Sequence, residues 1–230
     1  MKRFLYLWIG LLFFAFDAQS QVDEHQLGAW YMYNWSVDFG KSPFGLAGSI
    51  QDRNWNVIGD MEQLFLQGGL TYKLDKANVK FTAGYYFIRS GEFGSGTNTS
   101  DQSVIYEDIL LPQVVGNQIY LTHRFRYEQR FINNQDFRTR YRYNLFMNIP
   151  LNHQKIEAKT VYLAFSNELF INGQREIGNG KTVEIFDRNR FYTAIGYCFN
   201  KHIKIQIGTM RQTTNSVDKY QLQMSLYQKF

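Results

Sequence analysis

The chain has 230 residues, 25 Lys and Arg against 20 Asp and Glu, a formal charge of +5, and 17% aromatic residues that include 16 Tyr and 20 Phe. Only 3 Pro are present and no Pro- or Ser-rich linker divides the sequence, so a single domain is expected. One cysteine, Cys198, excludes an intrachain disulfide and argues against a redox role; it reads as a small packing residue.

In chain order, the first feature is MKRFLYLWIGLLFFAFDAQSQ: cations at Lys2 and Arg3, an apolar run over residues 4–16, then Ala18, Gln19 and Ser20. That pattern predicts a secretory signal peptide over residues 1–20, cleaved near Ser20, because the run is shorter than the about 20 residues a spanning helix needs. Residues 21–230 then form the mature domain, and losing Lys2, Arg3 and Asp17 leaves a charge of about +4. No long apolar run follows, so any membrane residence of the mature chain must use strands closed into a barrel.

Alternation with period two then recurs along the chain. Leu64, Leu66, Leu70, Tyr72 and Leu74 alternate with Gln63, Gln67, Thr71 and Lys73, and Val79, Phe81, Ala83, Tyr85 and Phe87 alternate with Lys80, Thr82 and Gly84. Further on, Ile119, Leu121, His123, Phe125, Tyr127 and Phe131 oppose Thr122, Arg124, Arg126, Glu128 and Arg130. Phe137, Tyr141, Tyr143, Leu145, Met147 and Ile149 oppose Arg138, Arg140, Arg142 and Asn144. Shorter runs follow at Val161, Leu163, Phe165 and Leu169, at Phe191, Ile195, Tyr197 and Phe199, and at Ile203, Ile205 and Ile207. The last segment sets Tyr220, Leu222, Met224, Leu226 and Phe230 on one parity, which resembles the C-terminal insertion signal of bacterial outer-membrane proteins.

Short turns are expected at 75–78, 116–117 and 200–202, and longer ones at 90–102, 172–181 and 212–218, as in a barrel with a short-turn rim and a long-loop rim. About eleven segments can be counted, and since bacterial single-chain barrels have an even number, ten or twelve is expected. The suspect segments are 27–37 and the strand before Gly116, where Pro112 should mark a bulge or an early end. The fold class is therefore all-β: a transmembrane, antiparallel, up-and-down barrel of about 10–12 strands in the bacterial outer membrane.

The arginines fall on the parity opposite the rings. A guanidinium at the bilayer midplane costs about 2–4 kcal/mol, so they must face a lumen. A turn near Asn134 sets Arg126 against Arg142, Glu128 against Arg140 and Arg130 against Arg138. Loops centred on His153 and Gly178 would put Glu168 between Arg138 and Arg188. Like charges directly opposite are destabilising and need counter-charges. One use for the set Arg124, Arg126, Glu128, Arg130, Arg138, Arg140, Arg142, Glu168, Arg188 and Arg190 is thus a structural charge ladder filling a narrow lumen. The other is attraction of a small anionic ligand, with Arg126 and Arg142 as the uncompensated cations. A nucleic-acid interface is not expected, because rings and cations occupy opposite faces of the same strand.

The segments LGAWYMY, DMEQLFLQGGLTYKL, HRFRYEQRF, FRTRYRYNLFMNIPL and FDRNRFYTAIGYCF resemble the family catalogued as domain of unknown function 2490 (DUF2490), with RYEQR the most specific piece. The resemblance covers nearly all of the mature chain and implies an outer-membrane barrel of a kind common in Bacteroidota, without an established activity or catalytic residues. Partners expected on this reading are outer-membrane lipid and the barrel-assembly machinery.

An outer-membrane enzyme acting on lipid or envelope polymer is the alternative, and it lacks a site. His123 lies on the outward parity while Ser166 and Ser225 lie on the inward one. His25, His123, His153 and His202 are scattered without metal-ligand spacing, and the fragment GNGKT has Arg175 where a phosphate loop needs its first glycine. No catalytic residue, cofactor or metal is expected.

Overall fold

The computed structural model describes residues 26–230, so the predicted signal peptide and its cleavage near Ser20 lie outside the described residues. Eleven strands follow one another: β1 (Gly28–Asp38), β2 (Phe44–Asn54), β3 (Met61–Leu74), β4 (Val79–Gly91), β5 (Thr99–Val115), β6 (Ile119–Ile132), β7 (Arg138–Pro150), β8 (Val161–Asn172), β9 (Phe186–Cys198), β10 (Ile203–Thr213) and β11 (Asp218–Lys229). Each pairs antiparallel with its sequence neighbour, and β1 pairs with β11 in parallel, Gly28 opposite Gln221 through Ser36 opposite Lys229. The sheet is a closed barrel, which leaves no unpaired edge.

The even-number expectation is thereby corrected. Both suspect segments are full strands, β1 and β5, and an odd number of alternately directed strands leaves the first and last pointing the same way, so closure must be parallel. Pro112 neither bulges nor ends β5, which stays in register with β6 from Gln102 to Val115. The pairing of β5 with β4 stops at Leu110 opposite Lys80, so on that side the missing N–H has no ladder partner to lose.

Turn lengths follow the expected alternation only in part. Residues 55–60, 92–98, 133–137, 173–185 and 214–217 connect strands at one rim, and 39–43, 75–78, 116–118, 151–160 and 199–202 at the other. The loop expected over 90–102 is shorter because β4 and β5 pair out to Gly91 and Thr99. Conversely, 151–160 is long for its rim, and its Ile156 packs against a buried cluster of Trp30, Tyr162, Ala164, Tyr192, Ala194 and Met210.

Period two sets the two faces of the wall. Outward lie Leu70 (49% exposed), Tyr85, Phe125, Ile195 (61%) and Ile207, an exposed apolar band around the barrel. Inward lie the arginines and two ring clusters, the one around Trp30 and a second of Phe65, Tyr86, Ile88, Val104 and Tyr106. Two glycines make room for inward tyrosines: a Cβ on Gly196 would strike the Tyr162 ring, and one on Gly84 would strike Tyr106. The glycine keeps the wall thin where a large ring must lie flat against it.

Candidate functional site

The β6–β7 turn, residues 133–137, is tight enough to carry the sequence register into the fold: Arg126 is opposite Arg142, Glu128 opposite Arg140, and Arg130 opposite Arg138. All six face inward, where burial would leave these charges unpaired unless the wall supplied partners. Glu128, fully buried, accepts Arg140 Nε at 2.7 Å and Arg142 Nη1 at 2.6 Å. Glu168 Oε1 accepts Arg124 Nη2 at 2.5 Å, Arg142 Nη2 at 2.5 Å and Arg142 Nε at 2.9 Å. Arg126 holds Asp108 bidentately, at 2.7 and 2.6 Å. Asp187 Oδ2 accepts Arg140 Nη1 at 2.8 Å, and the same carboxylate meets Arg188 at 3.3 Å. From Arg124 through Glu168, Arg142, Glu128, Arg140 and Asp187 to Arg188 the bridges are continuous.

Two expected positions need correction. Glu168 is opposite Asn144 and Arg190, not between Arg138 and Arg188, because the β7–β8 hairpin centres on Ile156 instead of His153 and the next on Asn179 instead of Gly178. Arg126 and Arg142 are not uncompensated; both are held by carboxylates. Two acidic residues of this network were not legible as such. Asp108 lies mid-strand on the inward parity of β5 with Val104 and Tyr106, a parity that its outward neighbours Ile105 and Ile109 could have signalled. Asp187 is turned inward by the register shift between β8 and β9 at Phe170 and Ile171, which lets it and Arg188 share one face.

The other side of the interior is built differently. Arg53 Nη1 donates to Gln63 Oε1 at 2.5 Å and its Nε and Nη2 donate to Gln51 Oε1 at 3.0 and 2.6 Å. Arg190 Nε donates to Gln212 Oε1 at 2.8 Å. Both guanidiniums lie over the Trp30 ring, at 4.0 and 4.7 Å from its centroid. Arg190 also lies 4.8 Å from the centre of Phe170. On the bridged side itself, beside the β6–β7 turn, Arg130 donates to Asn172 and Gln102, and Arg138, likewise inward and buried, shows no carboxylate contact. Lys204 lies 5.0 Å over the Tyr227 ring and, with Lys80, lines the cavity near the other rim. Among the described residues, none of these six cations has a carboxylate oxygen within 4.0 Å.

Between the two sides runs a cavity of about 550 Å³, lined by Arg53, Arg124, Arg142 and Arg190 together with Met32, Phe65, Ala164 and Met210. That volume lies within the roughly 300–1,000 Å³ of small-molecule sites. Arg53, on a strand that carries few apolar residues, was missed by sequence reasoning; only the outward run of Phe44, Leu46 and Ile50 signals its parity.

Outside the barrel, His123 Nδ1 lies 2.8 Å from Tyr143 Oη and its Nε2 3.3 Å from Gln113 Oε1, with no serine among its hydrogen-bond partners. Among the described residues, no group of three or more His, Cys, Asp or Glu is placed to hold a metal ion, and no helix is long and apolar enough to cross a membrane. Tyr220, Leu222, Met224 and Leu226 point outward on β11, and the Phe230 N–H donates to Ser36 O at 2.9 Å beside the parallel seam. No curated protein and no solved structure matches the chain. The family model described as protein of unknown function (DUF2490) matches residues 27–223, most of the sequence, and the chain belongs to that family.

Proposed function

We propose that this chain is an outer-membrane β-barrel whose interior takes up a small anionic ligand, as a binding barrel or narrow anion path. The observation that carries the reading is the set of inward cations without a carboxylate partner, Arg53, Lys80, Arg130, Arg190 and Lys204 lining the cavity inside the barrel and Arg138 buried beside the β6–β7 turn. Uncompensated charge in such a space attracts counter-ions far more strongly than the same charge at an open surface. The membrane part of the reading is supported by the outward band of exposed Leu, Ile, Phe and Tyr, since an apolar surface of that extent is not left facing water. Polar residues on that face pair with each other, Asn167 with Asn189 at 3.1 Å and Gln129 with Glu107 at 3.4 Å. On this reading its partners are outer-membrane lipid and the barrel-assembly machinery, to which Tyr220, Leu222, Met224, Leu226 and Phe230 would be presented.

Two measurements test it. Detergent-extracted protein should come from the outer-membrane fraction and migrate differently on gels before and after heating; recovery as soluble periplasmic protein would end the membrane reading. In planar bilayers under a salt gradient the reversal potential should lie toward that of the anion, or, if the path is closed to current, isothermal titration should detect binding of a small organic anion. Cation selectivity, or neither current nor binding, would end the anion reading.

A further inference from the structure

Trp30 is where two kinds of wall meet. Over its ring lie the guanidiniums of Arg53 and Arg190, and packed around it are Ala164, Tyr192 and Met210, with Met32 against the same cluster. Met32, Ala164, Tyr192 and Met210 also line the cavity. Arg190 uses only Nε in a hydrogen bond, to Gln212, so its two terminal nitrogens have no acceptor although protein surrounds the group. The nearest carboxylates are already engaged: Glu168 by Arg124 and Arg142, and Glu62 by Lys219 Nζ at 3.0 Å, Gln221 Nε2 at 2.8 Å and Trp30 Nε1 at 3.3 Å. A planar guanidinium with two free donors fits an oxyanion in fork geometry. Met32, Ala164 and Met210 give the adjoining wall a strip of thioether and methyl surface among polar lining residues such as Asn34 and Gln206, and that strip favours an apolar body on the same molecule.

We infer that the cavity binds an amphipathic oxyanion, its carboxylate- or phosphate-type head on Arg190 and Arg53 beside Trp30 and its apolar body along Met32, Ala164 and Met210. This inference rests on the anion reading above and narrows it to a ligand class and a place. The aromatic ring under the cations holds them in position, with Arg53 anchored by Gln51 and Gln63 and the terminal nitrogens of Arg190 left free for the head, which is what a recognition site requires and a charge ladder does not.

The test uses the full mature chain folded in neutral-detergent micelles, with empty micelles as the partition control. Isothermal titration and Trp fluorescence follow dodecanoate, dodecyl phosphate, dodecanol and inorganic phosphate. One of the two amphipathic anions should bind saturably, and which one it is identifies the head. Dodecanol and inorganic phosphate should each be weaker by roughly tenfold or more, the factor lost with one charge-assisted hydrogen bond. Arg190→Gln should weaken the amphipathic anion by about the same factor without altering the unfolding transition, and Arg190→Lys should recover part of it. Met210→Gln should weaken the amphipathic anion and leave inorganic phosphate unchanged. Equal binding of dodecanol, or unaltered affinity in Arg190→Gln, overturns the inference. Tight inorganic phosphate binding with no gain from the alkyl chain overturns the ligand class while the anion reading stands, whereas absence of binding by every anion together with an unshifted reversal potential brings down both.

Discussion

Arg142 and Arg190 line the same cavity on neighbouring parts of the barrel wall and both lie within 5 Å of the centre of the Phe170 ring, at 4.4 and 4.8 Å. Arg142 is shared by Glu128 and Glu168, whereas Arg190 has one glutamine amide. The side reached from β5 to β9 carries a bridged network in which Arg124, Arg126, Arg140 and Arg142 each have a counter-charge, and there these arginines hold strands together. The side built on β1, β2 and β10 with the inner face of β9 pairs its cations with amides and rings, and at its border Gly196 packs closely against Tyr162 of β8. The same side-chain type thus stands in two settings, and the difference lies in whether a carboxylate of another strand reaches it.

Breaking the bridged side should have the largest effect. Glu128→Ala leaves Arg140 and Arg142 without their shared carboxylate and should cost about 3–5 kcal/mol, the usual result of removing one member of a buried ion pair. Denaturant unfolding of the refolded barrel in detergent, followed by heat-modifiable mobility, measures it, and wild-type stability would dissolve the distinction between the sides. On the packed side the sharpest break is one of shape: Gly196→Ala drives a methyl group into the Tyr162 ring and should cost about 1–3 kcal/mol, as overpacking does. A cost near zero in the same assay would mean that Tyr162 moves aside freely. Arg190→Gln removes a charge that no carboxylate balances and should change stability by less than about 1 kcal/mol, within the range of one ordinary hydrogen bond. A loss as large as that of Glu128→Ala would make Arg190 a structural cation. Smallest of all should be Arg211→Ala, which breaks the exposed pair with Asp218 at the rim; its unfolding transition should match the unaltered protein at high salt, where such pairs are screened.

What could be read from the sequence depended on how locally it was determined. The inward and outward faces of β3, β4, β6, β7 and β11 were legible because the side-chain period of a strand is a property of the backbone. The β6–β7 register was legible because a short turn fixes it, and the cross-strand pairing of Glu128 with Arg140 followed from Asn134 alone. Loop 151–160 folds back on the Trp30 cluster, so its centre, and with it the place of Glu168, was not legible from turn residues. Asp187 was hidden for a similar reason: a register shift reverses the face of one residue without leaving a mark in the alternation.

By itself the sequence determined the class of fold, the alternation of an apolar exterior with a cationic interior, and the need for counter-charges, all consequences of backbone period and the cost of burying an unpaired charge. Only the tertiary structure decided how many strands close the ring, that β1 and β11 run parallel where they meet, and which arginines besides Arg140 meet a carboxylate. Those outcomes depend on contacts between strands far apart in the chain, as when Glu168 reaches Arg124 and Glu62 reaches Lys219, and the pattern within any one strand carries no information about its partners across the barrel.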